Sequence, residues 1–218
     1  HDISIQNLPV LFAIDRAGIV GADGATHSGN FDISFMRCIP NLVLMAPSNE
    51  DECYEMLNFG YNHNGICAVR YPRGGSQNQK LNKKGISITL GCAKKIRTGK
   101  FVAILAFGPI NNICKEIANE IDATLVDMRF IKPLDKKIIK AISSTHKLIV
   151  SVEENTIIGG AGSAVLEAMS AMHISRQTLV IGIPDKFFEH GSQSEVKVQC
   201  GLDKISIKRK IVKQLKEC

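Results

Sequence analysis

Short apolar runs recur along the chain and alternate with longer stretches in which apolar residues return every three or four positions. The runs are 8–14 (LPVLFAI), 42–46 (LVLMA), 66–71 (ICAVRY), 101–107 (FVAILAF), 124–128 (TLVDM), 147–152 (KLIVSV) and 178–182 (TLVIG). Rich in Val, Ile, Leu and Phe and bounded by Gly, Pro or polar residues, they predict buried strands. Between them, Phe31, Ser34, Phe35 and Cys38 stand at helical spacing, and Pro40 ends that helix. Ser48 reads as the cap of a helix that carries acids in its first turn and runs to about residue 64. Further helices are predicted at 112–121, at 135–143, after Gly159–Gly162, and at 206–215 with Ile207, Ile211 and Leu215 on one face.

Strand and helix alternate without a hairpin signal, so the fold class is α/β, built as two units on parallel sheets. Residues 74–91 (GGSQNQKLNKKGISITLG) are polar and irregular. The expected division is therefore a first unit at 1–75, a linker at 76–91 with room for one short strand at 86–90, and a second unit at 92–218.

Composition narrows the class only a little. No apolar run approaches the ~20 residues of a membrane helix, and no targeting segment opens the chain, so no membrane partner is expected. The seven cysteines lack CxxC spacing, which favours free thiols in a reducing compartment and gives no indication of zinc. Net charge is +6, yet residues 1–75 hold eight acids against four arginines, and the remainder holds 23 bases against 13 acids. The lysines lie among periodic apolar segments without interleaved aromatics, the pattern of solvated helix faces and not of a nucleic-acid surface.

Candidate chemistry gathers after the first strand. Residues 15–29 carry Asp15, Arg16, Asp23 and His27 with four glycines, and ligands of open α/β sheets sit beyond the carboxyl ends of strands. Arg16 and Arg73 each follow a strand, so both should emerge at one sheet edge. Two guanidiniums suit a phosphate dianion, and an ion pair of Arg16 with Asp15 or Asp23 suits the same spacing equally well. Asp23 and His27 could bond sugar hydroxyls or move a proton, or form an Asx turn beside a surface histidine. Arg37 and Arg70 are expected in structural ion pairs. Gly159-Gly160-Ala161-Gly162-Ser163 misses the dinucleotide pattern at Val165 and is expected to serve helix–strand packing. Glu153, Glu154 and His190 are expected at an interface, without a catalytic role.

The stretches DRAGIVGADGATHSGNFDISFMRCIP (15–40), MAPSNEDE (45–52), AVRYPRG (68–74), VDMRFIKPLD (126–135), VEENTIIGGAGSAV (152–165) and IGIPDKFFEHGSQ (181–193) resemble the deoxyxylulose-phosphate synthases of the transketolase superfamily. The resemblance implies the last part of a thiamine-diphosphate pyrimidine-binding domain followed by a transketolase C-terminal domain. It implies a reaction of pyruvate with D-glyceraldehyde 3-phosphate, serving isoprenoid, thiamine and pyridoxal synthesis, in a homodimer of the bacterial cytoplasm or plastid stroma. Residue by residue, it assigns the acceptor's phosphate to Arg16 and Arg73, its aldehyde and hydroxyl to Asp23 and His27, and proton transfer to His27. Thiamine diphosphate and Mg²⁺ belong to the complete enzyme; the metal–diphosphate motif, the glutamate and the aromatic platform for the cofactor are not found in these residues. The chain opens on His1 instead of Met, so a piece of a longer enzyme, inactive alone, is expected. The alternatives are a β-like subunit of a two-chain thiamine-diphosphate dehydrogenase and a non-catalytic phosphosugar-binding module.

Overall fold

Side chains on a strand point alternately to its two faces, so a run apolar at every position must be covered on both sides. Most of the predicted runs meet that condition in the computed structural model, which describes residues 1–75, 85 and 87–217. Most of the expected linker lies outside the described residues, as does Ile86 of the short strand expected there; residues 87–90 are not in a strand. The first half contains α1 (Asp2–Ile5), β1 (Leu11–Ile14), α2 (Asp32–Met36), β2 (Val43–Met45), α3 (Glu50–Asn62) and β3 (Cys67–Arg70). The second half begins with β4 (Lys94–Arg97), β5 (Val102–Phe107), α4 (Asn111–Glu120), β6 (Thr124–Asp127) and β7 (Phe130–Lys132). It continues through α5 (Lys136–Thr145), β8 (Leu148–Thr156), α6 (Ala161–Ala171), β9 (Gln177–Ile183), α7 (Gln193–Cys200) and α8 (Lys204–Leu215).

Two sheets form, in the orders β1-β3-β2-β7 and β4-β6-β5-β8-β9. Both are parallel except for one antiparallel edge strand each, β7 on β2 and β4 on β6. Val43, Met45, Cys67 and Val69 face α3 and pack with Met56 and Phe130. Their neighbours Leu44, Ala46, Ile66 and Ala68 face the other way, into a core shared with Ala103, Leu105 and Phe107 of β5 and with α5 and α6. The opposite face of β5, from Val102, Ile104 and Ala106, lies under α4 and α8, where Ile207 and Ile211 are fully buried. The middle core thus belongs to both sheets.

Several sequence expectations shift. The first strand is an edge strand of four residues, with β3 its one paired neighbour among the described residues, and Phe12 and Ala13, on opposite faces, are both exposed. On α2 the expected apolar face is the outer one: Phe31, Phe35 and Cys38 are exposed while Ile33 is fully buried. The α3 cap is Asn49, whose side chain accepts from Glu52 N at 3.0 Å. Ser48 instead donates its hydroxyl to the Glu52 carboxylate at 2.7 Å. β4, β7, α1 and α7 have no counterpart in the sequence reading.

A buried polar cluster sits where β7 joins the first sheet. Arg129 holds Glu52 at 2.7 and 2.8 Å, and Asp127 accepts from Asn111 Nδ2 and Arg129 N, both at 3.2 Å. Burial first, then the charge of Glu52 and a hydrogen bond to it, pushes the Asp127 carboxyl up to about 8. Asp127 therefore keeps its proton in the fold where an unfolded aspartate has lost it. Stability from this group is greatest below the ordinary aspartate range and falls as pH rises from about 4 to about 8, since the native state then binds more protons than the unfolded one. Asp127→Asn should flatten that stretch of the melting-temperature profile; an unchanged slope would show that the proton is not held there.

Candidate functional site

The loop that follows β1 is built on close backbone approaches. Arg16 turns the chain with φ +59°, a left-handed conformation uncommon for a residue with a side chain. Asp15 Oδ1 accepts from Arg16 N at 2.7 Å, and Ala17 N donates to Tyr71 O at 2.9 Å, tying the loop to the segment after β3. Gly18 and Gly29 exchange two backbone hydrogen bonds (2.7 and 3.0 Å) and close the loop's base. A Cβ at Gly29 would stand 2.1 Å from Arg16 O, so only glycine fits there. Residues Ala25–His27 form a single 3-10 turn near the tip.

Because β1 and β3 are adjacent and parallel, the residues that follow them emerge together. Arg73 Nη1 reaches Asp23 Oδ2 at 2.6 Å, and Arg16 Nε lies 3.8 Å from the same oxygen. Roughly half of each arginine side chain is exposed (50% for Arg16, 46% for Arg73), so the pair is open to solvent. The hydrogen bond from Arg73 holds the Asp23 carboxyl below the usual carboxylate range, with the charges of Arg73, Arg16 and His27 acting in the same direction. His27 is exposed, and its Nδ1 lies 3.0 Å from Thr26 Oγ1. Arg16, Arg73 and Asp23 are therefore brought together, with His27 near enough for its charge to act on Asp23, and a single anionic oxygen already lies between the two guanidiniums.

The other candidates are structural. Arg70 and Asp32 form a buried bidentate pair (2.6 and 3.1 Å), and Arg70 Nη2 also reaches Glu154 O at 3.2 Å. Arg37 clasps Glu167 with both terminal nitrogens and donates to Gly159 O at 2.6 Å. The glycines at 159–162 open α6, but its first amides are already used: Glu153 accepts from Ala161 N at 2.7 Å and Gly162 N at 2.8 Å. Burial pushes the Glu153 carboxyl up to about 7 while those two amides pull it down. Glu154 pairs with Lys197 at 2.7 Å.

Sequence reasoning missed the segment before α7. Gly191 N donates to Gly21 O, and Gln193 Nε2 donates to Ile19 O, so the second half of the chain grips the loop. Ser192 and Glu195 form a capping box, which the Ser-x-x-Glu spacing signals. Nothing local in the sequence says what that helix start touches.

Comparison with known proteins follows this architecture. The family model described as "Transketolase, pyrimidine binding domain" matches residues 1–78, and "Transketolase, C-terminal domain" matches residues 91–207. Among curated relatives, the 1-deoxy-D-xylulose-5-phosphate synthase of Methylobacillus flagellatus is 50% identical over 99% of this chain and 35% of its own length. Those of Psychromonas ingrahamii (52% identical, 97% of this chain, 34% of theirs) and Histophilus somni (54%, 93% and 33%) are alike. The chain spans about a third of the length of these curated relatives. A solved structure titled "Split gene transketolase, inactive beta4 tetramer" superposes with a TM-score of 0.85 at 25% identity, over 98% of this chain and 69% of that one. The fold is also shared with a transketolase from Campylobacter jejuni, at TM-score 0.68 and 20% identity over 93% of this chain and 31% of that one.

Proposed function

The chain belongs to the transketolase family, and from that premise we propose that it is the acceptor-holding part of a 1-deoxy-D-xylulose-5-phosphate synthase. That enzyme would join pyruvate to D-glyceraldehyde 3-phosphate with loss of CO₂, supplying isoprenoid, thiamine and pyridoxal synthesis. In this reading residues 1–75 close a pyrimidine-binding domain, 76–91 are a linker, and 92–218 are the C-terminal domain. The complete enzyme is then a homodimer of the bacterial cytoplasm or plastid stroma, and sedimentation of the purified enzyme tests the two-subunit mass.

The family implies thiamine diphosphate with Mg²⁺, and the residues here do not fit that group. Among the described residues no three His, Cys, Asp or Glu side chains are placed to hold a metal ion. The glycine-rich start of α6 is filled by Glu153. We therefore assign cofactor binding to other segments of the enzyme. The split-gene neighbour, whose title describes an inactive β4 assembly, supports the same division. With both substrates, thiamine diphosphate and Mg²⁺ supplied, the chain alone should give no product; detectable turnover would place the cofactor site within these residues.

One observation carries the acceptor reading: Arg16 and Arg73, from neighbouring strands, converge on one solvent-open oxygen of Asp23. An anion of higher charge and three oxygens competes well for two planar forks. The acceptor's phosphate then takes the guanidiniums, Asp23 turns to a substrate hydroxyl, and His27 gives a proton to the aldehyde oxygen as it becomes a hydroxyl. Asp23→Asn tests this in the complete enzyme. Because both arginine partners are about half exposed and the carboxylate is only partly buried, its loss should leave the melting temperature close to the parent value. Turnover with the phosphorylated aldehyde should fall roughly ten- to a hundredfold as a charge-assisted bond to the hydroxyl is lost. A large drop in melting temperature with normal kinetics would make the trio a structural clamp instead.

A further inference from the structure

The paired arginines sit on two separate segments, and their spacing depends on what joins those segments. Arg16 lies on the loop after β1, three residues before Ile19, and Arg73 lies beyond β3. Gln193, at the start of α7, touches both: its Nε2 donates to Ile19 O at 3.1 Å and, more loosely, to Arg73 O at 3.5 Å. Both partners are carbonyls, so only the NH₂ end of the amide can face them. One side-chain nitrogen thus bridges the two backbones that carry the guanidiniums.

The bridge is itself firmly mounted. Ser192 Oγ accepts from Glu195 N at 3.2 Å while Glu195 Oε2 accepts from Ser192 N at 2.8 Å, which closes the capping box. Lys197, one turn on, is held by Glu154 at 2.7 Å. Gly21 lies so close to this segment that a Cβ would stand 2.8 Å from Gln193 N and from Gly191 O. The loop and the start of α7 are pressed together, backbone against backbone, and Gln193 completes the contact.

We propose that Gln193 is a positioning residue that sets the separation of Arg16 and Arg73 for a phosphate-bearing acceptor, a role that rests on the acceptor reading above. It touches the backbones behind the arginines and not the substrate. Its loss should therefore weaken recognition of the phosphate and spare the rest of the reaction. The alternative is a helix-start glutamine that serves the fold alone, and its removal would affect every acceptor equally.

The complete synthase carrying Gln193→Met, Gln193→Glu or Arg73→Ala separates these cases. Each variant is assayed with D-glyceraldehyde 3-phosphate and with unphosphorylated D-glyceraldehyde, alongside the pyruvate KM and the melting temperature. Gln193→Met keeps the length but removes the donor. It should lower kcat/KM for the phosphorylated aldehyde about three- to tenfold, with the unphosphorylated aldehyde, pyruvate KM and melting temperature unchanged. Gln193→Glu, which sets a carboxylate against two carbonyls, should lower it further. Equal losses for both aldehydes, or none, would overturn the proposal. If Arg73→Ala abolishes the preference for the phosphorylated aldehyde while Gln193→Met leaves it intact, the role of Gln193 alone falls. If Arg73→Ala leaves the preference intact, the acceptor reading falls and Gln193 falls with it.

Discussion

Asp32→Ala should lower stability by about 3–5 kcal/mol, because it leaves the Arg70 guanidinium charged, buried and without its carboxylate. Only 2% of the Arg70 side chain and 8% of the Asp32 side chain are exposed, so water cannot replace the lost partner. For a chain of this size the loss corresponds to a fall in melting temperature on the order of ten degrees. The damage should spread beyond α2, since Arg70 Nη2 also reaches Glu154 O on β8 and Gly29 O at the base of the loop. Replacing both partners, as Asp32→Leu with Arg70→Met, should recover much of the stability, because an apolar pair carries no desolvation penalty. Thermal melts of Asp32→Leu, Arg70→Met and the double variant measure the coupling. A single variant as stable as the parent would show that the pair is not buried in solution.

Arg73→Ala should weaken use of D-glyceraldehyde 3-phosphate by the complete enzyme roughly ten- to a hundredfold, the loss expected for a charge-assisted contact. The pyruvate KM should stay close to the parent value, since Arg73 faces Asp23 and the loop. Stability should hardly move, because the side chain is nearly half exposed. Arg37→Ala makes the contrast: it removes a clasp on Glu167 and Gly159 O, so it should lower the melting temperature and spare acceptor preference. Equal losses for both substrates in Arg73→Ala would make Arg73 a structural residue.

That Arg16 and Arg73 leave one edge of a parallel sheet was legible, because each follows a strand; that β1 and β3 are neighbours, which brings the two together, was not. Two residues that leave neighbouring parallel strands at the same end must lie together. The strands themselves were legible where both faces are covered, as in 42–46 and 101–107, for burial on two sides forces a continuous apolar run. The two antiparallel edge strands, β4 and β7, escaped for other reasons. β4 (Lys94–Arg97) has three charged residues in four and is mostly exposed, and β7 (Phe130–Lys132) is too short to show a period. On α2 the aromatic spacing misled: Phe31 stacks edge-on with Phe187 at 6.3 Å on the outside, and the inward position belongs to Ile33. Gln193 was invisible because its partners lie 120 and 174 positions away, beyond any local pattern.

The strand β7 also decides where this polypeptide can be divided. Severed between the two halves at the level of the linker, the first piece would lose the antiparallel neighbour of β2 and keep only β1-β3-β2. Leu44 and Met45, now paired with residues 132 and 130, would present free amides and carbonyls along an apolar edge. Such an edge is a template for any extended chain that meets it. Modularity here is therefore one-sided: the second sheet keeps all five of its strands after the cut, while the first becomes a fragment prone to aggregate.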